Sequence, residues 1–210
     1  MTKDRSDTSD SIVTLEQGRL AQLRRDNQQM REQMDQMLER IQHNDRIYHA
    51  FHDIQMHLLL VEEPIELIVT LTRDLEQMFQ LYRVTVTLSD RPDGLAMPLA
   101  ASVAALPDRL LVLEQALLSQ IMTHPETTVI RIGREGENRR LFFGADSGRI
   151  RSEAIVPLRR MDETRQLLGT LNLGSDMPTR FLPSYSTDLI QDLADVFTVC
   201  LMKILKSTPS

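Results

Sequence analysis

The stretch from Leu20 to Phe51 constrains the fold of this chain more than any other. With Leu20 at heptad position a, the a positions are Leu20, Asn27, Met34, Ile41 and Tyr48. The d positions are Leu23, Met30, Met37, Asn44 and Phe51. Eight of those ten are apolar, and neither Gly nor Pro occurs between Arg19 and Glu63. So narrow an apolar seam cannot be buried by a lone helix; it calls for a partner helix in register. The pattern predicts a parallel homodimeric coiled coil over residues 20–51. That coiled coil sits in a long helix over 13–60, which leads into a globular α+β domain over 61–206.

The flanking heptad positions test the pairing. In a parallel register each g residue faces the e residue five positions on in the partner helix. Asp26 then meets Arg31 and Arg40 meets Asp45, both attractive, while Arg19 meets Arg24 and repels. Exposed pairs contribute only about 0.2–1 kcal/mol each, so this is modest support. Asn27 says more: beside its own copy it can hydrogen-bond, whereas a slipped register leaves it unpaired. Asp45, His49 and His52 share a helix face as i, i+4 and i+7 residues. They occupy outer positions, so a solvated face is expected there rather than a metal site.

Composition narrows the function classes. At 41% hydrophobic residues, 210 residues can build a core. A net charge of −6 argues against general binding to nucleic acid or to an anionic membrane. Lys3, Lys203 and Lys206 are the only lysines among 24 basic residues. Arginine grips carboxylates and phosphates as a fork, but GC-rich codon usage produces the same skew. The single cysteine, Cys200, allows neither an intrachain disulfide nor a Cys-rich metal cluster. Residues 1–12 are expected to be disordered, being mostly Ser, Thr and Asp near the start. The charged opening is unlike a signal peptide, and no apolar run reaches the roughly 20 residues of a membrane span. A cytoplasmic location is expected.

Beyond the long helix, Pro64 suits the first turn of a second helix running to about Gln80. Tyr82, Val84, Val86 and Leu88 alternate with Arg83, Thr85 and Thr87, the pattern of a strand with one buried face. Residues 95–107 carry no clear period. Asp108 is placed to cap a helix through Met122. Thr127 to Ile132 reads as a strand, and Leu141-Phe142-Phe143 as another short one. Ser152 to Leu158 and Leu167 to Leu173 form a hairpin, and Leu189, Leu193, Phe197, Cys200, Leu201 and Ile204 line a closing amphipathic helix.

The run from Arg151 to Leu158, followed by Leu168-Gly169-Thr170-Leu171-Asn172-Leu173-Gly174-Ser175, resembles the last strands of GAF domains. With Asp176 to Phe181 and the final helix, it resembles a bacterial family of unknown function, DUF484. That family joins a coiled coil to a GAF-like domain. The resemblance implies a central antiparallel sheet with the terminal helices on one face. In GAF relatives the other face can hold a small molecule beneath a roof, supplied here by about residues 95–143. Asn172 is followed by Leu173 rather than Lys, and no Asp-Glu follows Phe181, which disfavours a cyclic nucleotide. Cys200 lies on the apolar stripe of the closing helix, away from where a bilin would attach. A lone cysteine also does not match the methionine sulfoxide reductases of this fold.

No nucleotide-binding loop, nucleophile elbow or zinc-protease motif occurs, and no cofactor is expected. Arg131, Arg134, Arg139, Arg140, Arg149 and Arg151 fall near the expected roof, where converging guanidiniums would hold an anion. Glu135, Glu137, Asp146 and Glu153 are interleaved and offer them partners instead. The reading is a non-enzymatic regulatory module that dimerises and takes a small molecule or a protein partner. Its rival is a ligand-free interaction scaffold.

Overall fold

The computed structural model describes residues 4–207 except 93, 125–126, 134–137 and 183–186; side chains before residue 22, and that of Arg24, lie outside the description. The chain divides into two compact units, Met1–Tyr48 and His49–Ser210. Helix α1 runs Asp4–Leu60. It begins at Asp4, ahead of the start near Val13 that the sequence pattern suggests. Neither Gly nor Pro interrupts residues 4–12. Residues 1–3 lie outside the described residues.

In the first unit the described apolar residues of the seam are exposed. Leu23, Met30, Met34, Met37, Ile41 and Tyr48 are each 56–63% exposed in the single chain. Phe51 departs from the expected seam: its ring lies 4.6 Å from that of Phe79, tilted by 35°, within the second unit. The open stripe therefore ends at Tyr48. Beyond it, Ile54 and Leu58 are fully buried.

The second unit continues with α2 (Pro64–Phe79), β1 (Arg83–Ser89), α3 (Ala100–Ala105) and β2 (Leu110–Leu113). After these come α4 (Gln115–Ile121), β3 (Val129–Ile132) and α5 (Arg139–Phe143). A 3-10 turn (Gly144–Arg149) precedes β4 (Ser152–Arg159), β5 (Leu167–Ser175) and α6 (Asp188–Ser207). Pro64 begins α2, and Gln80 ends it in the left-handed region at φ 52°, its N–H bonding to the Glu76 carbonyl. The next strand is then held from both sides. Glu76 accepts from the Val84 N–H at 2.9 Å, and Arg109 Nη2 donates to its other oxygen at 2.9 Å.

The five strands lie in the order β2-β1-β5-β4-β3. β1–β5, β4–β5 and β3–β4 are antiparallel, but β1–β2 is parallel, so the sheet is mixed rather than wholly antiparallel. The cause is local. Residues 108–122, expected as one helix, split into β2 and the short α4. The run Leu110-Leu111-Val112-Leu113 suits a buried strand as well as a helix, and the open edge of β1 captures it. Leu141–Phe143, expected as a strand, belongs to α5 instead. The strand read over Tyr82 to Leu88, the β4–β5 hairpin, and α2 and α6 follow the sequence pattern closely.

One face of the sheet carries Val84, Val86, Leu88, Ala154, Val156, Leu158, Leu171 and Leu173. The end of α1, α2 and α6 cover it with Ile54, Leu58, Leu67, Ile68, Leu71, Leu75, Leu193, Phe197 and Leu201 in a continuous apolar core. Burying each such side chain contributes roughly 1.5–3 kcal/mol, so this face dominates the stability of the unit. Cys200 lies in the same core, where burial pushes its thiol above its ordinary value of 9.0. The thiol is therefore a small core side chain, protonated at neutral pH.

Candidate functional site

The opposite face of the sheet is covered by α4, α5 and the turn after it. Leu118, Ile121, Met122, Phe142, Phe143 and Ile150 form a second, smaller core there with Ile155 and Leu167. Close packing depends on Gly174. A β-carbon on it would stand 2.5 Å from Ile150 Cδ1 and 2.9 Å from Phe143 Cε1, so the roof lies directly on the strand backbone.

The centre of this face is polar. The alternation of β1 and β5 sends Thr85, Thr87, Ser89, Thr170 and Asn172 to the side opposite the helix-covered core, and all five are at most 1% exposed. The sequence reading placed Thr85 and Thr87 on a solvent face; the roof buries them. Thr85 Oγ1 donates to the Phe142 carbonyl at 2.6 Å, tying strand to roof. Its only proton is then committed, so it accepts from Asn172 Nδ2 at 3.1 Å. The same amide donates to Thr87 Oγ1 at 2.8 Å. Two atoms are left over: Asn172 Oδ1 and Thr170 Oγ1 are buried and have no hydrogen-bond partner among the described residues. Buried polar atoms left unmatched cost about 1–3 kcal/mol each, so this face carries polar groups at a cost in stability.

The arginines do not converge there. Arg139 is 3% exposed and Glu153 fully buried. Arg139 Nε bonds Glu153 Oε2 at 2.8 Å, while its Nη1 donates to the Gly133 and Ile150 carbonyls, both at 2.9 Å. Arg131 Nη1 reaches the other Glu153 oxygen at 3.5 Å. These two arginines thus share one carboxylate and tie β3 and α5 to β4. Arg149 sits instead at Tyr82, donating to its hydroxyl at 3.1 Å with the guanidinium 5.6 Å from the ring centre. Arg83 Nε donates to Asp146 at 2.6 Å, beside Tyr82. Arg140 is exposed, and Arg151 is half-buried, its backbone N–H bonded to the Ser175 carbonyl. Arg134, Glu135 and Glu137 lie outside the described residues. One of the interleaved carboxylates, Glu153, pairs with both Arg131 and Arg139.

The Thr-Asn cluster was missed because threonine alternating with valine reads as a wet face. Asn172 in the middle of an apolar strand was the one available signal. Among the described residues no group of three His, Cys, Asp or Glu side chains is placed to hold a metal ion. No helix among them is long and apolar enough to cross a membrane.

A mixed sheet with terminal helices on one face and a short-helix roof on the other defines a GAF-like α+β domain. Residues 5–204 match the model of DUF484, described as a protein of unknown function, and the chain belongs to that family. Comparison with curated proteins finds no match. Among solved structures, a free methionine-R-sulfoxide reductase from Neisseria meningitidis, in complex with its substrate, matches with a TM-score of 0.54. That match has 15% identity over 77% of this chain and 92% of the reductase. A methyl-accepting chemotaxis protein fragment, residues 122 to 287, matches with a TM-score of 0.44. Its identity is 15% over 74% of this chain and 98% of the fragment.

Proposed function

We propose that the chain is a non-enzymatic regulatory module. A parallel coiled coil joins two copies through Leu20, Leu23, Asn27, Met30, Met34, Met37, Ile41, Asn44 and Tyr48. Each GAF-like domain takes a small neutral molecule against the Thr85–Thr87–Thr170–Asn172 cluster. The observation that carries the dimer is the bare stripe from Leu23 to Tyr48, spaced at heptad positions and more than half exposed in one chain. The ligand reading rests on the unmatched Thr170 hydroxyl and Asn172 carbonyl, which ask for one acceptor and one donor. A bound molecule acts on the dimer only by differing in affinity for two arrangements of it.

A second reading drops the ligand. Leu118, Met122, Phe142, Phe143 and Ile150 already fill much of the roofed side, which favours a scaffold whose domain serves protein contact alone.

Native mass spectrometry of freshly purified protein separates these outcomes. Twice the chain mass with additional non-covalent mass, lost in an Asn172→Leu variant, supports the ligand-binding dimer. A dimer of bare mass at high protein concentration moves the assignment to the scaffold. A monomer at micromolar concentration, unchanged by Ile41→Asp, overturns the dimer.

A further inference from the structure

Away from the roofed face, α6 and the β4–β5 loop enclose an open groove of about 570 Å³. Val199, Met202, Lys203 and Lys206 follow one another at i, i+3, i+4 and i+7 on α6 and so line one face of it. Arg160 and Met161 of the loop form the other wall. The floor is apolar where a lone domain would be expected to bury it: Met161 is 49% exposed and Val199 48% exposed. We infer that this groove docks an acidic amphipathic segment of a partner protein, its apolar side chains on Met161, Val199 and Met202 and its carboxylates on Arg160, Lys203 and Lys206.

Charge selects the occupant. The chain as a whole carries −6, yet three cations line this groove. Two of them are Lys203 and Lys206, in a chain that otherwise uses arginine almost throughout. One turn earlier on the same helix Asp195 pairs with Arg159 at 3.8 Å and accepts from Gln191 at 2.9 Å. The single acid in the groove, Asp162, is turned into its own loop. It accepts from the Thr164 backbone N–H at 3.0 Å and from the Thr164 hydroxyl, and stands 3.7 Å from Arg160. These contacts hold its carboxyl below the usual carboxylate value, the Thr164 hydroxyl contributing most.

Shape selects the class. Small-molecule sites bury most of their ligand, roughly 70–90% of its surface, and this open groove does not. A flat anionic bilayer offers headgroups to the three cations but no shape complementary to a groove. A peptide laid along the groove satisfies both floor and rim. Methionines suit such a surface because they repack around different apolar side chains.

The test uses the full-length protein and a fluorescein-labelled peptide of glutamate and leucine, with the leucines on one helical face. Fluorescence anisotropy is expected to show saturable binding, weakened roughly tenfold or more by Lys203→Glu with Lys206→Glu. Met202→Asp, which keeps the cations, is expected to weaken it similarly. Replacing leucine by serine in the peptide is expected to abolish binding. Thermal midpoints matching the wild type show that the variants remain folded. The inference is overturned by an absence of saturable binding, or by equal binding of the peptide with lysine in place of glutamate. Co-sedimentation with equimolar phosphatidylcholine–phosphatidylserine vesicles, without peptide binding, also overturns it in favour of a membrane. A changed oligomeric state in the lysine variants overturns it in favour of a second copy of this chain.

Discussion

The two faces of the sheet are built on different principles. The helix-covered face presents Val84, Val86, Leu88, Val156, Leu171 and Leu173 to α2 and α6 in one apolar cluster. The roofed face puts Thr85, Thr87, Thr170 and Asn172 at its centre, fully enclosed, and relegates its apolar contacts to Phe142, Phe143, Ile150 and Ile155. A domain selected only for stability would place valines at these threonine positions, because burial favours apolar side chains and penalises unmatched polar atoms. The difference indicates that one face supplies the folding energy and the other retains polar groups at a cost in stability.

Breaking the first face has the largest expected effect. Phe197→Ala empties a fully buried position between α6 and the sheet and is expected to cost about 3–5 kcal/mol in urea unfolding. On the second face, Glu153→Ala leaves the buried Arg139 guanidinium without its carboxylate. A loss of about 3 kcal/mol is expected, recovered in part when Arg139 is also made neutral, as a double-mutant cycle will read. Gly174→Ala forces a β-carbon against Ile150 and Phe143; the expected cost is about 1–3 kcal/mol, relieved by Ile150→Val.

Thr170→Val sharpens the comparison most, because it removes an unmatched hydroxyl at nearly constant volume. An empty cluster is expected to gain roughly 1 kcal/mol of stability from it. A cluster filled by a ligand or bound water is expected to lose stability instead, so the sign of the change in urea midpoint decides between the two readings of the domain. Cys200 gives the smallest effect. Burial raises its folded-state value, so its contribution is complete below the ordinary value of 9.0 and is lost as pH rises through the raised one. Its reaction with a thiol reagent at pH 8 is expected to be slow in native protein and fast in denaturant; fast native labelling would place the thiol outside the core.

The legible parts of the fold share a property: their burial is written as a period within one element. The stripe of α1 repeats every heptad, α2 and α6 repeat at helical spacing, and β4 and β5 bear the residues that resemble GAF strands. The illegible parts depend on a neighbour. Leu110–Leu113 suits helix and strand alike until the free edge of β1 pairs with it. Phe51 fits the heptad, but Phe79 offers it a ring closer to home. Of the suspected arginines, Arg131 and Arg139 come together around Glu153, a meeting that their spacing in the sequence does not specify.

The sequence by itself determined that this chain carries a long helix with a heptad-spaced apolar seam and an α+β domain of GAF-like design. Periodicity and local motifs survive any packing arrangement. Only the tertiary structure decided that the Thr85–Thr87 side of β1 is buried. An alternating strand specifies two faces but not what covers the second. That cover comes from α5, far along the chain, through the bond from Thr85 to the Phe142 carbonyl. The same long-range closure turned a row of threonines into a buried polar cluster.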